Sequence, residues 1–171
     1  ICKVEDTFIT ENNLTKSTMK LVNEAEFKKL LSTLKIEETV SGGSVANSIV
    51  GLSQLGKKVG FIGKVSDDDV GNKYEEGLIK ENVKYFYSKK KESMPTGTCL
   101  ILVTPDAKRT MSSMLGVSAF LGSADIDFDV VENSKIFYIE GYMVTSEDNF
   151  NTVISVLEHL KSKDTIKALS L

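Results

Sequence analysis

The chain has 171 residues, of which 41% are hydrophobic and 26% charged, so it fits one globular domain or part of a larger one. Its net charge is −3 at pH 7, and without a basic excess to neutralise phosphates it is not expected to bind nucleic acid. No apolar stretch is long enough to span a bilayer, so no membrane partner is expected.

The first part of the chain predicts a strand and then a helix. Ile1 to Phe8 is typical of the remainder of a strand whose beginning lies outside the sequence. Asn23 is a suitable N-cap, and acidic residues follow it in the first helical turn. Apolar side chains then recur at helical spacing, at Phe27, Leu30, Leu31 and Leu34.

The next segment, Ser41-Gly42-Gly43-Ser44-Val45-Ala46-Asn47, combines two glycines with the start of an apolar helix. Glycine permits a positive φ and a close approach of the backbone to a ligand. The helix is expected to end at Gly56, a suitable C′ residue. Asn47 would lie in the first turn, where its amide can donate and accept hydrogen bonds. By itself this pattern indicates either a tight turn or a grip for a hydroxyl-rich small molecule.

Two further elements follow this helix. The apolar run of residues 59–65 predicts a short buried strand. A second helix is expected from Val70 to about Lys80, preceded by the acidic residues 67–69. Such acids are compatible with a metal site, but they also favour the positive N-terminal end of a helix, and we prefer that second interpretation.

The middle of the chain predicts an antiparallel hairpin. Residues 83–88 are strand-like, residues 96–103 form a second strand, and residues 109–115 form a returning strand after the turn sequence at 105–108. The basic run at 89–91 is interpreted as a solvated loop. The hairpin is expected to be a lid, a dimer surface, or both.

The last third returns to an alternation of strands and helices. Strands are predicted at 135–139 and 165–171, and a helix capped near residues 145–148 lies between them. This alternation implies a mainly parallel sheet with helices on both faces. Ligands of such sheets bind beyond the carboxyl ends of the strands, so the strand end at Glu140-Gly141-Tyr142 should face a site.

The cysteines and the single histidine give no sign of metal chemistry. Cys2 and Cys99 lie far apart in apolar runs, which is typical of buried reduced thiols in a cytoplasmic protein. His159 has no Cys or His at ligand spacing, so no zinc site is expected.

Several of these segments together resemble the ribokinase-like (PfkB) family of carbohydrate and nucleoside kinases. The resemblance begins at residues 42–47, continues through Leu55-Gly56, and includes residues 61–71. Residues 95–99, 109–111 and 138–142 are similar to the adenosine-kinase-like branch. The sequence departs from the family at Val45, Ile49 and Ser66, the last of which stands where many members have glycine.

The resemblance implies a doubly wound α/β fold with a small inserted antiparallel β lid, formed by about 1–20 and 83–116, so that 1–171 would be the N-terminal part of one domain. It implies transfer of the γ-phosphoryl group of ATP, with Mg2+, to a primary hydroxyl. Adenosine is the first choice of acceptor, as in purine salvage, and a ribose- or fructose-type sugar is the alternative. Gly42 and Gly43 would form a hinge near the sugar. The other implied acceptor contacts are Ser44, Asn47, Cys99, Met111, Ser113, Leu115 and Tyr142 (or Met143), with Arg109 near the transferred phosphate.

The part of the family that carries the chemistry is not in this sequence. The resemblance places a Gly-Ala-Gly-Asp-type anion hole and the base aspartate later than Leu171. An acceptor-binding aspartate of the first strand would fall just before Ile1. We therefore expect the 171 residues alone to have no kinase activity. The protein is expected to be a monomer or a lid-mediated homodimer. A non-catalytic protein that retains the acceptor pocket is the alternative from another class.

Overall fold

A computed structural model describes residues 1–87 and 92–170, so the basic run at 89–91 lies outside the described residues. Six α-helices lie in this part of the chain: α1 (Asp6–Glu11), α2 (Glu24–Ser32), α3 (Ser44–Gln54), α4 (Asp69–Lys80), α5 (Phe128–Glu132) and α6 (Glu147–His159). The eight strands there are β1 (Cys2–Lys3), β2 (Met19–Leu21), β3 (Gly60–Phe61), β4 (Lys84–Tyr85), β5 (Thr98–Val103), β6 (Arg109–Met114), β7 (Ile136–Glu140) and β8 (Ile166–Ser170).

The predicted hairpin is confirmed as β5 and β6, which pair antiparallel from Thr98 opposite Met114 to Val103 opposite Arg109. It forms the centre of a four-stranded sheet in the order β1-β5-β6-β2. The two outer strands pair in parallel with their neighbours, so the sheet is mixed rather than antiparallel throughout. The strand-like segment predicted at 83–88 does not belong to this sheet, because β4 pairs with β3 in a different sheet.

The N-terminal strand is much shorter than predicted. The strand consists of Cys2 and Lys3 alone, and α1 begins at Asp6. Within that short helix Ile9 is buried against the four-stranded sheet. The prediction of a strand to Phe8 is wrong because this short apolar segment is compatible with either structure, and packing against the sheet decides it.

One face of the four-stranded sheet carries the hydrophobic core of this region. Leu100, Leu102 and Met114 pack there against α1 and α2. The predicted start of α2 is confirmed in detail. The Asn23 side chain accepts from the Glu26 N–H, and the Glu26 carboxylate accepts from the Asn23 N–H, which makes a capping box.

The remaining elements form an α/β region with parallel strand pairs, β3 with β4 and β7 with β8. Two apolar clusters hold this region together, one around Leu78 beside α3 and α4, and one around Leu160 beside α5 and α6. The predicted α/β class with mainly parallel strands is confirmed. The strand predicted at 59–65 is only two residues long, because the chain after Phe61 lines a cavity instead of pairing with another strand.

The strand predicted at 135–139 is confirmed as β7, but its expected burial is wrong. Ile139 is buried, whereas Ile136 is 60% and Tyr138 40% exposed. The pattern of apolar residues predicts a strand, but it does not predict which neighbouring element buries each side chain. No helix among the described residues has both the length and the apolar character needed to cross a membrane.

Candidate acceptor site

The glycine pair lies where the sequence predicts it, immediately before α3. Gly43 is the N-cap residue, and its φ of 108° is a conformation that residues with a side chain rarely adopt. The Asn47 N–H donates to the Gly43 carbonyl oxygen at 2.9 Å, which closes the first helical turn. A side chain at Gly42 would meet no atom within 4 Å, so this loop borders open space.

A cavity of about 350 Å³ begins at this loop and extends between β3 and β7. Gly43 and Ser44 line one end, and Tyr142 and Met143 line another part of the wall. Most of the remaining wall is apolar, including side chains from Phe61, Phe137 and Val153. Walls of this kind suit a flat apolar ring or a further packed segment of chain, and a few polar side chains in the lining, such as Ser118 and Thr152, offer groups for hydroxyls.

The walls of the cavity are fixed by aromatic side chains. Tyr74 lines it, and burial raises the pKa of Tyr74 to about 12, so the phenol stays neutral and its ring acts as an apolar surface. The ring centroid of Phe61 lies 6.1 Å from that of Tyr74. The Tyr85 hydroxyl donates to the Gly63 carbonyl oxygen at 2.6 Å and holds the lining segment after β3 in place.

Two charged residues, Lys64 and Glu140, line the cavity, and Lys64 is held by an ion pair. Its Nζ is 2.9 Å from the Asp125 carboxylate and 3.6 Å from that of Glu92, and the Lys64 and Asp125 side chains are each 10% exposed. Burial lowers the pKa of Lys64, but the hydrogen bond to Asp125 together with the negative charges of Asp125 and Glu92 outweighs this effect and leaves the pKa raised. Lys64 is therefore a charged, paired group that joins the segment after β3 to the turn around Asp125.

The hairpin brings a second group of the predicted residues together on the face opposite its core. Cys99 lies directly opposite Ser113, whose hydroxyl donates to the Cys99 sulfur at 3.2 Å. Met111 lies opposite Ile101 on the same face, and Arg109 is exposed at the start of β6. Cys99 is exposed rather than buried, which corrects the expectation from its apolar run.

The predicted residues thus fall into two groups. Gly43, Ser44 and Tyr142 border one cavity, while Cys99, Arg109, Met111 and Ser113 share one face of the hairpin. Leu115 lies just beyond β6 and is 43% exposed. Asn47 is exposed on α3 and does not line the cavity.

The structure offers no cluster of metal-ligating side chains in the part of the chain that it describes. Among residues 1–87 and 92–170, no three His, Cys, Asp or Glu side chains cluster in a way that could hold an ion. The Asp68 carboxylate, in the acidic run, instead accepts from the Gly71 N–H and caps α4, as the preferred interpretation of that run expects.

Sequence reasoning missed two polar clusters. Lys64 and Asp125 are 61 residues apart in sequence, and Asp68 and Thr96 are 28 apart. No local pattern connects such partners, because each pair is created only by the packing of distant elements. The acidic run at 67–69 indicated a helix start, but it did not indicate that the Asp68 carboxylate also accepts hydrogen bonds from Thr96.

The pfkB family carbohydrate kinase pattern matches residues 14–169. The chain belongs to this family. A 5-dehydro-2-deoxygluconokinase from Clostridium botulinum is 35% identical over 156 residues, which cover 84% of this chain and 43% of that protein. A similar kinase from Mesomycoplasma hyopneumoniae is 32% identical over 139 residues and is covered to 38%.

Solved structures of the family agree on the fold. The adenosine kinase from Sinorhizobium meliloti superposes with a TM-score of 0.89 at 29% identity, covering 99% of this chain and 52% of that one. A probable sugar kinase from Rhizobium etli gives the same TM-score at 27% identity, covering 98% and 51%. This pfkB-family chain therefore spans about half the length of these structures and less than half of the curated relatives it matches.

Proposed function

We propose that this chain forms the acceptor-binding half of a kinase that transfers the γ-phosphoryl group of ATP to a primary hydroxyl of a small molecule. The observation that supports it is the Gly42-Gly43 loop at the start of α3, which borders a cavity and open space and lies in a pfkB-family chain. ATP, Mg2+ and the base aspartate belong to the part of the kinase outside these residues.

The residue roles follow from this proposal. Gly42 and Gly43 act as a hinge next to the acceptor, and Ser44 and Asn47 hold its hydroxyls. The hairpin, with Cys99, Met111 and Ser113, closes over the acceptor as a lid, and Leu115 borders it. Arg109 contacts the transferred phosphate. In phosphoryl transfer such groups act by positioning and by stabilising spread negative charge.

Our first choice of acceptor is adenosine. The open hairpin face is largely apolar at Ile101 and Met111, and Tyr142, which is 65% exposed, offers an aromatic surface near the cavity. Apolar and aromatic groups bind a purine by stacking and by burial of its faces. The likeness to the Sinorhizobium meliloti adenosine kinase supports the same choice.

A second acceptor class, a sugar or a sugar acid, is favoured by the curated relatives. These include 5-dehydro-2-deoxygluconokinases at 31–35% identity. Binding a carboxylate requires a cationic partner, and Arg109 at the exposed start of β6 could supply it. An acceptor without an aromatic base would gain less from the apolar hairpin face.

The decisive experiment uses the full kinase sequence of the source organism, tested with ATP and Mg2+ against adenosine, ribose, fructose and 5-dehydro-2-deoxygluconate. We expect transfer to one of them, with adenosine preferred, and no transfer by the 171 residues alone. Turnover by the isolated chain would contradict the proposed division of roles. Binding of an acceptor without any transfer by the full protein would favour a non-catalytic binding protein.

The proposed role of Asn47 has its own test in that full protein. Replacing Asn47 by Ala should lower kcat/KM by an amount equivalent to about 1–3 kcal/mol, because a hydrogen bond that the bound acceptor and the closed hairpin would bury is lost. Ser48→Ala is the matched control, since Ser48 is exposed on the same helix and its hydroxyl only donates to the Ser44 carbonyl oxygen. Equal kinetics for the two variants would remove Asn47 from the site.

We further propose that the protein acts in the cytoplasm on a small-molecule substrate, as a monomer or as a homodimer formed through the hairpin sheet. The compartment is suggested by the free thiols of Cys2 and Cys99. The association state is measurable by sedimentation.

A further inference from the structure

The β5–β6 hairpin is joined to the α/β region at its base by two segments that cross in close contact. The chain enters the hairpin through Pro95-Thr96-Gly97 and leaves it through Leu115-Gly116-Val117. The Val117 N–H donates to the Pro95 carbonyl oxygen at 3.0 Å. A side chain at Gly97 would come within 2.6 Å of the Leu115 carbonyl oxygen, so the crossing leaves no room for one.

Thr96, in the entering segment, is bound to the start of α4. It is 3% exposed. Its N–H donates to one oxygen of the Asp68 carboxylate at 2.8 Å, and its hydroxyl donates to the other at 2.8 Å. The same hydroxyl oxygen accepts from the Ser66 N–H at 3.0 Å. Every polar group of Thr96 except its carbonyl is therefore engaged by residues 66–68.

Asp68 thus has two functions at once, since it also caps α4 by accepting from the Gly71 N–H at 2.7 Å. The other connection to the sheet also touches α4. Ser41, directly before the Gly42-Gly43 loop, packs its hydroxyl at 3.5 Å from the Lys73 and Tyr74 carbonyl oxygens. Helix α4 therefore supports two of the segments that join the four-stranded sheet to the rest of the molecule.

We propose that Asp68 is a positioning residue, which acts through Thr96 to fix the hairpin, and with it Cys99, Met111 and Ser113, relative to the α/β region. Two charge-assisted hydrogen bonds from Thr96 to a carboxylate held at a helix start make a stiff connection at the base of the hairpin. The effect of Asp68 on acceptor binding rests on the proposed function, whereas its effect on the position of the hairpin does not.

The test compares Thr96→Val, which removes the hydroxyl while keeping the shape, with Thr96→Ser, which keeps the hydroxyl. Asp67→Asn is the control, because Asp67 is exposed and next to Asp68. Amide hydrogen exchange of Val117 reports on the hydrogen bond between the two segments at the base of the hairpin. Spin labels at the exposed Cys99 and at a cysteine replacing exposed Lys161, beyond α6, report the distance between the hairpin and the α/β region.

In Thr96→Val we expect exchange of the Val117 amide to accelerate roughly tenfold or more, and the label distance distribution to broaden. Thr96→Ser and Asp67→Asn should match the parent chain, and the paired amides within β5 and β6 should stay protected. The proposal is overturned if the distance distribution does not broaden, if the strand amides open equally, or if Thr96→Ser behaves like Thr96→Val. Absence of phosphoryl transfer by the full kinase would overturn the proposed function and leave this result unaffected.

Discussion

Gly71, in the first turn of α4, is a position where adding a single methyl group should be damaging. A Cβ there would overlap the Ser66 carbonyl oxygen, far inside the 3.0 Å below which real Cβ contacts do not occur. It would also lie 2.9 Å from the Thr96 hydroxyl oxygen. Because the main obstacle is backbone, no side-chain rotation can relieve it.

The magnitude follows from two opposing effects. Overpacking costs about 1–3 kcal/mol, and more where backbone must move. Alanine in a helix returns up to about 1 kcal/mol relative to glycine. Gly71→Ala should therefore destabilise the chain by about 1–2 kcal/mol. For a chain of this size each kcal/mol lowers Tm by roughly 2–4 °C, so Tm should fall by about 2–8 °C.

Two other helical glycines provide matched controls for Gly71→Ala. A Cβ at Gly51, in α3, would meet nothing within 4 Å, so Gly51→Ala should stabilise by about 0.5–1 kcal/mol. At Gly77, in α4, the obstacle is the Ser41 side chain, which can rotate, so the change should be near neutral. Thermal and urea unfolding followed by circular dichroism measures all three. If Gly71→Ala were as stable as Gly51→Ala, the close contact of Gly71 with Ser66 and Thr96 would not exist.

Two further predictions concern charged groups. Lys64→Met should lower the free energy of unfolding by about 3 kcal/mol in urea titrations, since it removes the cation 2.9 Å from the 10%-exposed Asp125 carboxylate. The double variant with Asp125→Leu should recover much of the loss, and an additive loss would contradict the pairing. Hydrogen bonds from Thr104 and Lys16 hold the pKa of the Asp106 carboxyl well below its usual range. The stability that the ionised Asp106 carboxylate contributes is therefore complete above the unfolded pKa of about 3.9 and is lost as the pH falls further. Asp106→Asn should flatten the acid limb of the stability–pH profile. An unchanged acid limb would refute this assignment.

The sequence alone determined the features that depend on neighbouring residues. The capping box at Asn23 and Glu26, the glycine-led start of α3 and its end at Gly56 are local, because a side chain bonds to backbone a few residues away or a glycine takes a φ that others avoid. The β5–β6 hairpin and the family resemblance were also readable, since both rest on contiguous or evenly spaced residues.

Tertiary structure decided what depends on distant partners. Residues 6–11 became a helix because the sheet offered an apolar surface for Ile9, and β1 and β2 joined the hairpin through strands 90 or more residues away. The sequence identified the acidic run at 67–69, but only the packing of residue 96 against it gave Asp68 two hydrogen bonds from Thr96. Such bonds form where separate elements meet, and local propensity contains no information about which elements those are.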